Sequence, residues 1–165
     1  MPSAMARFVH LHVHTEYSLV DGVVRVESEH KDGKLAREGL MDACARLGMP
    51  AVALTDQGNL FALVKFYRAA LSRGIKPLVG VDALLREEGE RAEPSRIVLL
   101  CQDDRGYRNL TRLVTRSYLE GQGRHGPLLH RAWLDADSTT GLIALSGARE
   151  GDIGGPLREI ANAHP

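Results

Sequence analysis

Three histidines stand at alternate positions of an apolar run, His10, His12 and His14 in V-H-L-H-V-H-T-E-Y-S-L-V-D-G at residues 9–22, and Asp21 follows in front of a glycine. On an extended strand successive side chains alternate between faces, so the three imidazoles share one face and Leu11 and Val13 take the other. Side chains two apart on a strand can converge on one ion. Imidazole nitrogens with a carboxylate oxygen are the ligand set of zinc, manganese and iron sites. The competing reading is a half-buried strand whose histidines are satisfied by neighbours; three on one face favour a site. Other residues weigh less. Arg108, Arg112 and Arg116 recur every four residues on one helical face and could meet phosphate or an acidic partner, although a solvated face is the usual meaning of such a row. Glycines 121, 123 and 126 loosen the chain after that helix but lack the strand-before, helix-after setting of a phosphate loop. Ser18 has no evident base partner, and no nucleophilic triad is visible.

The elements that must position these residues follow from hydrophobic periodicity. Apolar β-type runs at 8–13, 51–54, 78–85, 97–101 and 142–145 alternate with helical spacing at 35–47, 59–73, 104–120 and 152–161. Strand alternating with helix predicts an α/β fold with a mostly parallel sheet. Gly48-Met49-Pro50 and Gly74-Ile75-Lys76-Pro77 end two helices just before strands. The polar stretch E-S-E-H-K-D-G at 27–33 reads as an exposed loop between the first strand and first helix, with His30 solvated. R-E-E-G-E-R-A-E at 86–93 reads as a charged hairpin or loop tip, and residues 1–6 as a loose leader.

The 165 residues amount to one domain's worth of chain, and 44% hydrophobic residues can supply its core. With 21 basic against 21 acidic residues the formal charge is zero, whereas a dedicated duplex-binding module carries a basic excess. A main DNA grip is therefore not expected. Cys44 and Cys101 read as small buried hydrophobes rather than a disulfide framework, which points to a reducing cytoplasm. No apolar stretch directs the chain to a membrane.

H-V-H-T-E-Y-S-L-V-D-G, read with A-L-T-D-Q-G at 53–58, resembles the polymerase and histidinol phosphatase (PHP) domain family. N-L-F-A-L-V-K-F-Y-R-A-A at 59–70 and G-I-K-P-L-V-G-V-D at 74–82 look like the version that opens bacterial replicative polymerases of the DNA polymerase III alpha family. G-Y-R-N-L-T-R-L-V at 106–114 and A-L-S-G-A-R-E-G-D-I-G at 144–154 fall in that family's order, so the resemblance runs from Arg7 to about Gly155. It implies a distorted seven-stranded β/α barrel with its site at the carboxyl ends of the strands. Five strands are visible here, so residues 7–165 are expected to be an incomplete, N-terminal portion of a PHP domain, truncated to about five β/α units. Unpaired strand edges would remain for other chains to cover.

The same resemblance supplies a ligand set. His12 and His14 match the H-x-H pair and Asp21 the aspartate of L-x-D-G. Four positions depart: Gln57 replaces the histidine of T-D-H-G, Asp82 the glutamate of G-x-E, Arg96 a later histidine and Ala148 the cysteine of S-G-C. Gln is a poor ligand, Ala none, and Arg brings a fixed positive charge that repels a divalent ion. The metal positions His12, His14, Asp21 and Asp82 are thus read as vestigial, able at most to hold one ion such as zinc weakly. The favoured alternative is a polar cluster in which Arg96 pairs with Asp21 or Asp82. Asp56 caps its turn or joins that cluster.

The resemblance further implies a parent that adds deoxynucleotides to a primer, using magnesium in a palm domain that these residues do not contain. The fragment itself is expected to be a non-catalytic scaffold contacting the remainder of the polymerase alpha chain and the proofreading exonuclease subunit. It would meet DNA only through the whole polymerase, and no membrane. Exposed edge strands and the Arg108 face are the candidate docking surfaces. The rival is a metal-dependent PHP phosphoesterase or a 3′–5′ proofreading nuclease, which would need His10 or Asp82 to replace missing ligands.

Overall fold

A computed structural model describes residues 8–19, 21–86, 93–151 and 153–154. The leader at 1–6, the tip of the charged segment after Arg86 and nearly all of the helix expected at 152–161 lie outside them. The chain divides into two compact units, Met1–Val79 and Gly80–Pro165.

In the first unit the histidine-bearing stretch is not a regular strand and bends at Leu11. Two backbone bonds tie it to β3 (Ala51–Leu54) and the residue that follows: the Ala53 N–H donates to the His10 carbonyl at 2.8 Å, and the Thr55 N–H to that of Val13 at 3.0 Å. The ladder stops there because Thr15 caps a single 3-10 turn, Glu16–Ser18, its hydroxyl accepting from the Tyr17 N–H. Gly22 then passes so close to the Thr15 carbonyl that a Cβ would lie 1.7 Å from that oxygen, so only glycine fits after Asp21.

Residues 27–37 correct two expectations. β1 (Glu29–Lys31) and β2 (Lys34–Arg37) pair antiparallel, with Lys31 opposite Lys34. Asp32 and Gly33, at φ 52° and 73°, form a two-residue turn of the twist that suits a hairpin. This replaces the loop expected at 27–33 and shortens the helix expected at 35–47 to α1 (Leu40–Arg46). Met41 and Cys44, one turn apart, are its buried positions. Asp42 accepts from the Ser28 hydroxyl and from Arg73 Nε at 2.6 Å, bonds that hold its carboxyl below the usual carboxylate range.

β3 is buried throughout and runs parallel to the start of β4 (Lys76–Arg86), Ala51 opposite Lys76 and Leu54 opposite Val79. The intervening α2 (Leu63–Ser72) buries Phe66, Ala69 and Ala70, the i, i+3, i+4 positions of one face. With Val26, Met41, Val52, Leu54 and Ile75, Phe66 forms the core of this unit.

The second unit departs from the mostly parallel sheet. β4 pairs antiparallel with β5 (Ser95–Cys101), and β5 antiparallel with β8 (Leu142–Ser146), while β7 (Gly126–His130) lies parallel to the far end of β4. Only residues 87–94 lie between β4 and β5, a connection shorter than the crossover that a parallel pair requires, so the two strands pair antiparallel. The fold is mixed α/β, and no closed barrel forms among the described residues. The glycines at 121, 123 and 126 do not loosen the chain: they build a tight hairpin in which β6 (Gln122–Gly123) pairs with β7.

α3 (Asp104–Glu120) matches its expected span. Asp103 caps it, accepting from the Gly106 N–H at 2.8 Å, and Leu110 and Leu113 are buried. A Cβ on Gly106 would lie 1.8 Å from the Gly141 carbonyl oxygen. Gly106→Ala is therefore expected to destabilise the protein, although alanine favours an exposed helix interior by about 1 kcal/mol. A fall in the thermal midpoint checks this; a rise would show that α3 can move away from Gly141. Among the described residues no helix is long and apolar enough to cross a membrane.

Candidate functional site

In the first unit the structure brings together three of the residues singled out by type and spacing. His12 Nε2 lies 3.1 Å from His14 Nε2, and His14 Nδ1 lies 2.9 Å from Asp21 Oδ2. The two imidazoles meet edge to face, with ring centres 4.8 Å apart. The Asp21 carboxylate stands on the Nδ1 side of the His14 ring, and Nε2 of His14 faces Nε2 of His12. His10 is not part of this group; its ring meets the edge of Phe8 at 4.8 Å.

This arrangement assigns Asp21 a different place from the one its type suggested. It sits on the far nitrogen of His14, where carboxylates orient a ligand histidine and raise its basicity rather than bind the ion. The two Nε2 atoms are close to the separation of about 3.4 Å that two nitrogens take on one tetrahedral zinc. Two imidazole nitrogens and an orienting carboxylate fit a single ion in chemical type.

Asp56 is fully buried, and its carboxylate is saturated by the same turn. Oδ1 accepts from the Thr15 N–H at 2.6 Å, the Thr15 hydroxyl at 3.0 Å and the Ser18 hydroxyl at 2.9 Å, and Oδ2 from the Thr15 hydroxyl at 2.8 Å. Ser18 in turn accepts from the Gln57 N–H at 3.0 Å. Ser18 is thus a structural bridge rather than a nucleophile, and Gln57 enters through its backbone. The carboxylate holds the Thr15–Ser18 turn in place immediately after the histidine pair.

In the second unit Asp82 is 1% exposed at its side chain, and Arg96 Nη1 donates to its Oδ2 at 2.7 Å. Asp82 stands opposite Val98 in the antiparallel β4–β5 ladder. Arg96, two residues before Val98, is its diagonal neighbour on the same sheet face. The guanidinium also reaches Glu150, Nε to Oε2 at 2.6 Å. Glu150 was not foreseen; it lies 54 positions beyond Arg96 (150 − 96). It arrives because the Gly147 N–H donates to the Arg96 carbonyl at 3.1 Å, and Arg96 forms a further bridge with Gly151. Ala148 holds a left-handed φ of 49° there and offers no ligand atom.

Cys44 is buried and Cys101 half-buried. Burial pushes both thiols up, that of Cys101 to about 11, with the nearby charge of Asp103 adding to it. Neither is an activated nucleophile.

Residues 10–164 match the family model described as PHP domain. The chain is 48% identical over 150 residues to DNA polymerase III subunit alpha of Pseudomonas aeruginosa, covering 91% of this chain and 12% of that one. It is 42% identical over 151 residues to DNA polymerase III subunit alpha of Escherichia coli K12, covering 92% and 12%. This sequence thus spans about an eighth of the length of these relatives. Among solved structures, an amidohydrolase from Chromobacterium violaceum aligns with a TM-score of 0.48 at 22% identity, covering 69% of this chain and 34% of that one.

Proposed function

The chain belongs to the PHP domain family, and from that membership we propose that it is the N-terminal PHP region of a DNA polymerase III alpha subunit, acting as a non-catalytic docking scaffold. Its partners in this reading are the remainder of the polymerase alpha chain and the proofreading exonuclease subunit, in the bacterial cytoplasm. The whole polymerase would supply nucleotide transfer, magnesium and DNA contact. Residues 7–165 would be the incomplete front of the distorted β/α barrel.

The observation that carries the scaffold reading is the Arg96–Asp82 pair. A buried carboxylate at a family ligand position is neutralised by a guanidinium, at 2.7 Å, that stands where the family has a histidine. A hydrolytic centre of several ions needs that carboxylate to polarise phosphate and lower the pKa of water. With Gln57 and Ala148 at two more ligand positions, the donors for such a centre do not fit. An exposed apolar stripe on and before α2 supports docking: Phe61, Val64 and Leu71 are 62%, 64% and 55% exposed.

One observation favours the rival, a metal-dependent phosphoesterase or 3′–5′ nuclease: the His12–His14 pair has the spacing of two zinc ligands. Elemental analysis for zinc, manganese and iron on the purified chain and its His14→Ala variant separates the readings. We expect less than one equivalent of any metal in either. A full equivalent lost in the variant, together with phosphatase activity, would overturn the scaffold assignment. Pulldown of the proofreading exonuclease by the metal-free chain is the positive test.

A further inference from the structure

An open groove of about 610 Å³ in the second unit is walled on one side by α3 and on the other by the segment from Trp133 to Ser138. Arg105, Arg108, Arg112 and Arg116 all line it. The arginines at its ends are engaged. Arg105 lies 3.7 Å from Asp137, while Arg116 pairs with Glu120 at 2.8 Å and stacks 4.2 Å over the Trp133 ring. Arg108 and Arg112, in the middle and exposed, make no ion pair among the described residues. Four residues apart on a helix, they are separated by about 6 Å along its axis.

We propose that this groove docks an acidic segment of a partner protein, Arg108 and Arg112 each taking one of two carboxylates about 6 Å apart. Carboxylates one turn apart on a helix, or two residues apart on a strand, have that spacing. The groove's own chemistry favours carboxylates over nucleic acid. Arg116 and His130, whose ring is 4.6 Å away, both pack against Trp133, which removes the aromatic platform that single-stranded bases need. Asp135 and Asp137 line the facing wall, Asp137 beside Arg105, so a bound anion is confined to the α3 side. The inference does not rest on the polymerase assignment, since it needs only the groove.

Trp133 is the sole tryptophan of the chain, so its fluorescence reports on the groove directly. The test is a titration of the intact chain, at low salt, with a helical peptide carrying glutamates at i and i+4. A peptide with lysines there and an oligodeoxythymidine of equal charge serve as comparators. We expect saturable binding of the glutamate peptide, weakened at least tenfold in the double variant Arg108→Gln/Arg112→Gln and unchanged in Arg124→Gln outside the groove. Circular dichroism should report an unaltered thermal midpoint for each variant. Absence of binding, equal binding by the double variant, or tighter binding of the oligonucleotide would each overturn the proposal.

Discussion

Asp56→Ala is expected to lower the unfolding free energy by about 3 kcal/mol or more, since it orphans several buried donors at once. Its carboxylate accepts from the Thr15 N–H, the Thr15 hydroxyl and the Ser18 hydroxyl, inside a region with no access to water. Each unsatisfied group costs about 1–3 kcal/mol, and alanine can replace none of the acceptors. Domains of this size are stable by only about 5–15 kcal/mol, so the variant should lie near the edge of folding. Asp56→Asn offers an internal control. It keeps the shape and the oxygen that receives three of the bonds, and its amide can donate to the Thr15 hydroxyl, which then reverses its role. A loss of about 1–2 kcal/mol is expected for it. Urea unfolding followed by circular dichroism measures both; equal losses in the two variants would show that the carboxylate's volume, not its acceptors, holds the turn.

That role was only half legible in the sequence. T-D-Q-G marks a turn, and an aspartate in a turn caps, but its donors lie 38 and 41 positions earlier in the chain, where no local pattern points at them. Local signals read well where one residue's environment is set by its neighbours. β3 and α3 fall where their apolar periodicity places them, because burial on all sides and a helical stripe are both short-range patterns. Asp32-Gly33 was also readable, since an aspartate-glycine pair between short strands is a hairpin signal. It was overridden by an apolar spacing over 35–47 that fits a helix as well. The His14–Asp21 bond could be anticipated from the pairing of types at short separation. Which nitrogen the carboxylate would take could not, because that depends on how Gly22 folds back on Thr15. The Arg96–Glu150 contact left no trace in local sequence at all.

Arg96→Ala is the second substitution with a large expected effect, and its sign bears on why an arginine stands there. Removing one partner of a buried ion pair leaves the other charge without compensation, which costs about 3–5 kcal/mol, whereas replacing both by apolar groups can be neutral. Asp82 is 1% exposed and Arg96 24%, so the carboxylate is the deeply buried member of the pair. Glu150, 71% exposed, contributes much less, and Glu150→Gln should cost under about 1 kcal/mol. Arg96→Lys keeps the charge but cannot present Nη1 to Asp82 and Nε to Glu150 together, so an intermediate loss is expected. The double variant Asp82→Leu/Arg96→Met should recover most of the stability lost by Arg96→Ala. Chemical denaturation of the four variants in parallel measures this. If the double variant were no more stable than Arg96→Ala, the pair would be holding the β4–β5 register rather than neutralising a buried charge. Recovery would mean instead that the arginine serves chiefly to neutralise Asp82, which a bound cation could also do. That result would identify the guanidinium as the group that makes a metal ion unnecessary at this position.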